Sequence, residues 1–428
     1  MTAMDGRSNQ SLFDRARAVI PGGVNSPVRA FGAVGGTPYF VDRAEGAHVW
    51  DVENTRYIDM VQSYGAVILG HGHPVVVDAV SSAAADGTSY GAPTEREVLL
   101  AEEVCARVPS VERLRMVSSG TEATMSAIRV ARGFTGRRKV VKFAGNYHGH
   151  SDALLVSGGT AMATLGIPGS AGVTDRAVAD TVVAPYNVVP ELNDDVACVM
   201  VEPVAANMGL VGPAPGFLEG LREACDQVGA LLVFDEVISG FRVGRSGAEG
   251  LFGVQPDLTC FGKVIGGGLP VGAYGGRADV MDVVAPVGPV YQAGTLSGNP
   301  LATAAGLATL AMLTDDFYNQ LAGRVACFAA GMNDAFEQSG LGWKVPTVST
   351  LSGVFAGTEL PVDYTDALAC DEQGYAKFFH GMLSRGVALA PGAYEVMFCG
   401  LAHTDALLDQ VIEATRESAA EVAASRSI

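Results

Sequence analysis

The order of the hydrophobic patterns is the feature that most constrains the fold of this chain. From residue 74 onward, stretches with helical periodicity alternate with short apolar runs. Such alternation predicts an α/β fold in which a large, mostly parallel sheet is covered by helices. The helical stretches are 74–86, 93–107, 121–134 and 215–228, and the apolar runs are 113–117, 139–143, 197–203, 230–236, 258–263 and 271–276.

The two ends of the chain follow a different pattern. Turn signals divide residues 39–60 into short alternating runs, which predicts antiparallel strands. The other expected elements are a helix over 10–20, an irregular segment over 21–38, helices over 316–339, 371–385 and 404–424, and an apolar strand at 353–357. We therefore expect a large domain over 61–314 and a smaller α+β domain over 315–428, which residues 1–60 join.

Composition excludes several classes of function. The net charge of the 428 residues is −18, whereas nucleic-acid binding needs clustered Lys and Arg for the phosphates. The 7 cysteines are scattered without a C-x-x-C pair, so neither a disulfide framework nor a zinc site is indicated. The N-terminus lacks a signal-type apolar core, and the apolar run 301–313 is too short to cross a bilayer. We expect an acidic cytoplasmic protein with no metal site, no nucleic-acid partner and no membrane partner.

The first strand end that carries chemistry is the segment "VSSGTEATMSAIRVAR" at 117–132. An apolar run ends there, Ser119, Gly120 and Thr121 follow, and a helix begins. A helix N-terminus with hydroxyl groups and a close-turning glycine favours a bound anion such as phosphate. The alternative is an ordinary helix cap without a ligand.

The second strand end is "LLVFDEVISGFR" at 231–242, where Asp235 and Glu236 close an apolar run. A carboxylate at the mouth of a sheet needs a cationic or N–H partner. The alternatives are a helix cap and a metal ligand.

The third is "CFGKVIGGGLPVGAYGG" at 260–276, in which Lys263 is the only charged residue between Asp257 and Arg277. A lysine removed from water has a lowered pKa, and its neutral amine attacks aldehydes. The alternative is a surface lysine in a glycine-rich loop.

The three strand ends together suit pyridoxal 5'-phosphate. Its phosphate needs an anion site, its ring nitrogen needs a carboxylate to stay protonated, and its aldehyde needs a lysine. Tyr147, in "AGNYHGH" after the run 139–143, supplies an aromatic face for the ring. We therefore expect Lys263, Asp235 and Tyr147 to carry the chemistry.

The order of the motifs S-G-T-E-A, Y-H-G, D-E-V, F-G-K and "GTLSGNPLA" resembles that of the class-III pyridoxal-phosphate aminotransferases. Longer segments are similar to one branch of that class, which moves an amino group within one substrate molecule. They are "PGGVNSPVRAF" (21–31), "YGAPTEREVLLAEEV" (90–104), 118–155, "NMGLVGP" (207–213), "DEVISGFRVGRSG" (235–247) and "GPVYQAGTLSGNP" (288–300). The resemblance covers residues 12–425.

The resemblance implies the fold type I architecture and a homodimer with shared active sites. The cofactor-binding residues that it implies are Ser119, Gly120, Thr121, Tyr147, Asp235, Val237 and Lys263, with Thr295 donated by the neighbouring subunit. The substrate-binding residues that it implies are Ser26, Arg29, Asn207, Glu395 and Thr160. Two positions depart from the common pattern, since Tyr64 stands where a tryptophan is frequent and Thr160 where a serine is common.

The activity that the resemblance implies is conversion of glutamate-1-semialdehyde to 5-aminolevulinate for tetrapyrrole synthesis, from the pyridoxamine 5'-phosphate form and through a diamine. Lys263 then moves protons as general base and acid, and residues 157–174 form a lid. A transient contact with glutamyl-tRNA reductase is a further expectation. The main alternative is an aminotransferase with an external amino donor. A non-catalytic cofactor-binding protein is disfavoured because Lys263 and Asp235 are both intact. A dinucleotide-binding protein is disfavoured because the sequence has no G-x-G-x-x-G motif that opens a helix after a first strand.

Overall fold

The computed structural model describes residues 7–156 and 169–426. The strands in these ranges are β1 Val41–Glu45, β2 His48–Asp51, β3 Arg56–Asp59, β4 Arg113–Val117, β5 Lys139–Phe143, β6 Thr181–Ala184, β7 Val196–Val201, β8 Leu231–Asp235, β9 Leu258–Gly262, β10 Gly272–Gly276, β11 Thr347–Val348, β12 Leu351–Gly353, β13 Val387–Ala388 and β14 Val396–Phe398. The helices are α1 Asn9–Val19, α2 Pro74–Asp86, α3 Glu95–Arg107, α4 Gly120–Thr135, α5 Asp175–Val178, α6 Phe217–Val228, α7 Gly247–Phe252, α8 Ala278–Met281, α9 Pro300–Met312, α10 Asp315–Ser339, α11 Tyr364–Leu368, α12 Glu372–Ser384 and α13 Asp405–Arg426.

A seven-stranded sheet in the order β4-β10-β9-β8-β7-β5-β6 forms the centre of the molecule. β10 runs antiparallel to both of its neighbours, and the pairs from β9 to β6 are parallel. The prediction of a mostly parallel sheet is therefore confirmed. β6 was not predicted, because the strand has only four residues and most of them are at least partly exposed.

Both faces of the sheet are covered, as the continuous apolar strands predict. Leu231 and Val233 of β8 pack with α4 residues, whereas Leu232 and Phe234 pack with α6 residues. Because side chains alternate along a strand, Asp235 belongs to the α4 face. The sheet thus directs this carboxylate toward the side on which α4 begins.

Two smaller sheets combine distant parts of the chain. β1, β2 and β3 form one sheet with β13, and β11, β12 and β14 form another. The expected strand at 353–357 is wrong in its bounds: the paired strand is β12, and Phe355 makes only an isolated bridge with Lys344. The expected domain division at residues 60 and 314 stays a prediction.

A left-handed stretch of backbone follows β3. Gln62, Ser63 and Tyr64 have φ of 45°, 54° and 53°, and Gly65 follows with 90°. Such conformations cost free energy and persist where surrounding contacts fix them. Here the buried guanidinium of Arg242 donates to the Gly65 carbonyl at 2.7 Å and to that of Cys399 at 2.7 Å. The stretch thereby holds Tyr64 beside the main cavity.

Candidate active site

A cavity of about 340 Å³ lies where the strands of the large sheet end. Most of the residues predicted from the sequence line it, namely Ser26, Ser119, Gly120, Thr121, Tyr147, Asn207, Asp235, Val237, Lys263 and Glu395. Further lining residues that sequence reasoning did not assign a role include Tyr64, His148, Glu202 and Phe398. The strand-end position is the one at which open α/β sheets bind ligands.

Lys263 follows β9 directly and begins a short 3₁₀ helix, Lys263–Gly266. Its φ of 48° lies in the left-handed region, and its Nζ lies 6.0 Å from the centre of the Phe398 ring. Burial lowers the pKa of the Lys263 amine to about 8, although the charges of Glu395, Glu202 and Asp235 act in the opposite direction. A substantial neutral fraction near pH 8 makes this amine a nucleophile and a proton carrier, not a plain surface cation.

Asp235 ends β8 with its side chain only 4% exposed. Its Oδ1 accepts from the Val237 N–H at 3.1 Å, and its Oδ2 lies 2.7 Å from Nδ1 of His148. Because an ionised carboxylate only accepts, Nδ1 of His148 carries the proton in this contact. The carboxylate is thus fixed on two sides, and its remaining lone pairs are available to a ligand in the cavity.

Within residues 7–156 and 169–426, Asp235 is the one ionisable side chain in direct contact with His148. Burial lowers the pKa of its imidazole, against the hydrogen bond and charge of Asp235, while the charge of Lys142 lowers it further. A neutral ring that donates from Nδ1 holds the carboxylate without cancelling its charge.

Glu236 is the neighbouring acid, and it does not line the cavity. Its Oε2 accepts from Ser239 Oγ at 3.0 Å and from the Ala248 N–H at 2.7 Å. Burial raises its pKa to about 7. The two neighbouring acids therefore have different roles: Glu236 is a structural carboxyl, and Asp235 is the carboxylate that faces the cavity.

The start of α4 forms another wall. Ser119 is the N-cap, and its Oγ accepts from the Glu122 N–H at 3.2 Å. Gly149, with φ of 79°, approaches so closely that a Cβ there would lie 2.4 Å from Thr121 Oγ1. The cap interpretation is thus correct for Ser119, and the first turn of α4 also faces the cavity, so the two interpretations of this motif are compatible.

Glu202 was missed by the sequence analysis, although it ends the apolar run 197–203 much as Asp235 ends its own. Its Oε1 accepts from the Tyr147 N–H at 2.6 Å, and its Oε2 accepts from the Ala206 N–H at 3.0 Å and from Asn207 Nδ2 at 2.9 Å. Burial and the charge of Asp235 raise its pKa to about 7. Glu202 therefore ties the predicted stacking residue to a predicted substrate residue.

The remaining predicted residues lie in different surroundings. Glu395 lines the cavity, and burial raises its pKa to about 7 while the charge of Lys263 lowers it. Arg29 is exposed and is not among the lining residues, although Ser26 of the same segment is. Thr295 is exposed and lies outside the cavity lining. Thr160 and most of the expected lid at 157–174 lie outside the described residues.

The residues present fit pyridoxal or pyridoxamine phosphate. The cavity joins an amine with a lowered pKa, a carboxylate fixed by two N–H donors and the N-terminal turn of a 16-residue helix. Val237 adds an apolar wall close to the helix start, since a Cβ on Gly120 would lie 3.0 Å from its Cγ1. In the described ranges, no group of three or more His, Cys, Asp or Glu side chains is arranged to hold a metal ion. None of the described helices is both long and apolar enough for a membrane span.

Comparison of the sequence with known families and proteins extends this description. The family model Aminotransferase class-III matches residues 31–417. The chain is 52% identical over 422 residues to the glutamate-1-semialdehyde 2,1-aminomutase of Laribacter hongkongensis, covering 97% of this chain and 99% of that protein. It is 54% identical over 418 residues to the protein of the same name from Roseiflexus castenholzii, covering 96% of each.

Solved structures share the fold along almost the whole chain. An omega-transaminase from Sphaerobacter thermophilus superposes with a TM-score of 0.90 at 31% identity, covering 98% of this chain and 99% of that one. A glutamate-1-semialdehyde aminomutase from Pseudomonas aeruginosa superposes with a TM-score of 0.85 at 27% identity, covering 97% and 94%. A variant of the latter protein was solved in complex with PMP.

Proposed function

This chain belongs to the class-III aminotransferase family, and on that premise we propose that it is an isomerase converting glutamate-1-semialdehyde to 5-aminolevulinate. The observation that carries the proposal is the 52% and 54% identity to two glutamate-1-semialdehyde 2,1-aminomutases over nearly the whole chain. The reaction moves an amino group within one substrate skeleton, and its product is a precursor of porphyrins and other tetrapyrroles. The cofactor is pyridoxal 5'-phosphate or its pyridoxamine form.

When bound, this cofactor supplies an exchangeable amino group and a ring that withdraws electrons from the reacting carbon. The residues that would hold it are Ser119, Gly120 and Thr121 at the phosphate, Tyr147 and Val237 on the two sides of the ring, and Asp235 at the ring nitrogen. His148 and the Val237 N–H fix the Asp235 carboxylate in place. A carboxylate that is already oriented needs no reorganisation during the reaction.

Lys263 is the residue proposed to move protons. With a pKa of about 8, its Nζ is present in both the charged and the neutral form near neutral to mildly basic pH. Glu395 and Glu202 lie near enough for their charges to raise that pKa, so their own protonation tunes the amine. The cavity therefore contains one base and two acids of comparable pKa.

The substrate is proposed to lie among Ser26, Asn207 and Glu395, with Arg29 binding its carboxylate. Arg29 is exposed on the short 3₁₀ helix Pro27–Ala30, so its side chain is available to turn toward a ligand. Thr295 is exposed and outside its own cavity, which supports a homodimer in which it completes the partner's site. A transient contact with glutamyl-tRNA reductase and a cytoplasmic location are further parts of this proposal.

The second candidate is an aminotransferase with an external amino donor, favoured by the TM-score of 0.90 to the Sphaerobacter omega-transaminase. Product analysis with glutamate-1-semialdehyde as the only added substrate separates the two. We expect many turnovers to 5-aminolevulinate by protein loaded with pyridoxamine phosphate and no added donor. Conversion that stops after about one equivalent, and resumes when an amino acid or amine donor is added, would replace the aminomutase by the aminotransferase.

A further inference from the structure

Lys142 is a buried lysine outside the cavity. It lies on β5 with its side chain fully buried, and it is not among the lining residues. No carboxylate lies within ion-pair distance of its Nζ among the described residues. A buried ammonium without a contacting anion is costly, so its hydrogen-bond partners are informative.

Three backbone carbonyls surround this ammonium group. Nζ of Lys142 donates to the carbonyl of Asn146 at 3.0 Å, to that of Leu154 at 3.1 Å and to that of Val156 at 3.1 Å. An ammonium group has three protons to donate, so the Lys142 side chain finds acceptors for all three of them within residues 146–156. Bonds from a charged donor are stronger than bonds between neutral groups.

The turn over 144–156 carries two residues of the cavity, Tyr147 and His148. Tyr147 directly follows the first of the three carbonyls, and its N–H donates to Glu202. His148 contacts Asp235 through Nδ1, and its carbonyl accepts from Thr124 Oγ1 at 2.7 Å. The turn is therefore attached to the cavity wall on one side and to Lys142 on the other.

The charge of Lys142 complements the same part of the site. Glu202 and Asp235 both lie close enough for their charges to raise the pKa of Lys142, while burial lowers it to about 8. The cavity thus has a cation behind its wall as well as Lys263 within it. Loss of Lys142 would leave the three carbonyls, two of them in buried residues, without this donor, and the two carboxylates without this cation.

We propose that Lys142 is a positioning residue, whose ammonium group gathers the 144–156 turn and so fixes Tyr147 and His148 for cofactor binding. The link to the cofactor rests on the proposed function. The effect on the turn itself does not, because it follows from the three hydrogen bonds alone.

The test uses Lys142→Met in the full-length protein, as purified and after removal of the cofactor. Amide hydrogen exchange should become at least about tenfold faster in peptides covering 144–156, equivalent to about 1.4 kcal/mol of opening free energy. Exchange in the strands of the large sheet should change little. The dissociation constant for pyridoxamine phosphate should rise on the order of tenfold. The control is Lys139→Met on the same strand, where Nζ forms an exposed pair with Asp195 and both measurements should stay at the parent value.

A second variant tests whether the charge and donors matter, and not only the volume. In Lys142→Ala, added propylammonium should restore exchange protection and pyridoxamine phosphate affinity, whereas 1-propanol, which has the same shape without charge, should not. The pyridoxamine form is used because it has no aldehyde to react with the amine.

Unchanged exchange over 144–156 in Lys142→Met would overturn the proposal. So would equal rescue by propanol, or loss of the whole fold in both variants, because a positioning residue acts on one turn. If exchange and affinity change as expected but 5-aminolevulinate is not formed by the parent protein, the aminomutase assignment fails and the role of Lys142 stands.

Discussion

Replacing Lys263 by methionine is expected to stabilise the cofactor-free protein while abolishing its activity. Burial lowers the pKa of this amine from 10.5 to about 8, which means that the folded state disfavours its charged form. One pKa unit corresponds to about 1.4 kcal/mol, so the full penalty is about 3 kcal/mol. Lys263 is only partly buried, so solvent screens part of this penalty, and we expect Lys263→Met to gain about 2–3 kcal/mol of unfolding free energy at pH 7.

The gain should depend on pH in a defined direction. Below pH 8 the Lys263 amine is charged in the folded and the unfolded parent, so the penalty is fully present. Between pH 8 and 10.5 the unfolded parent binds more protons than the folded parent, so the parent becomes more stable as pH rises. The advantage of Lys263→Met should therefore be largest below pH 8 and disappear by about pH 10.5.

Urea unfolding of the two cofactor-free proteins at several pH values measures this difference directly. Lys377→Met is the matched control, because Nζ of Lys377 is exposed and bonds to Ser425 at the surface. Repeating the comparison with Glu395→Gln in both proteins removes the coupled titration of that carboxyl. A methionine variant that is no more stable than the parent at pH 7, or whose advantage grows above pH 8, would show that Lys263 is not desolvated in the folded protein.

The other predictions concern the carboxylate, the substrate side and the turn beside α4. In Asp235→Asn the side chain has one oxygen that can accept hydrogen bonds instead of two. The affinity of this variant for pyridoxamine phosphate should therefore fall by roughly 10- to 150-fold in a fluorescence titration, with a smaller loss for Asp235→Glu. Arg29→Ala should raise the KM for glutamate-1-semialdehyde by roughly 10- to 150-fold in steady-state kinetics and leave cofactor affinity unchanged. Gly149→Ala should lower the unfolding free energy by about 1–3 kcal/mol in urea, because its φ is 79° and the new Cβ would meet Thr121, whereas Gly22→Ala has open space and should cost less.

The large sheet was predictable because its strands are apolar runs between helices, and burial on both faces demands that pattern. The short strand β6 escaped prediction because Thr181–Ala184 has neither the length nor the burial of its neighbours. β13 and β14 are two and three residues long, and they are strands only because they pair with β3 and β12, which lie elsewhere in the sequence. Local periodicity holds no information about such pairings.

The candidate site was predictable where a reactive side chain stands at a strand end, as Asp235 does at the last residue of β8 and Lys263 does directly after β9. Glu202 also ends an apolar run, but sequence alone does not reveal that its two oxygens hold Tyr147 and Asn207. Lys142 lies within β5, and its proposed role depends on where the following turn places three carbonyls. Backbone acceptors leave no mark on a sequence, so positioning residues of this kind become visible only in three dimensions.

The sheet that joins β3 to β13 has a consequence for how the chain reaches its native state. β3 ends at Asp59 and its parallel neighbour begins at Val387, and Ile58 N–H donates to the Gly386 carbonyl at 2.8 Å. During synthesis on the ribosome, the early strands therefore emerge long before their last partner exists. Closing so long a loop is slow, and an unpaired edge is prone to aggregation while it waits. We expect folding yield to depend on chaperone capacity, and the nascent chain to gain protease resistance in this region only after its final segment is released.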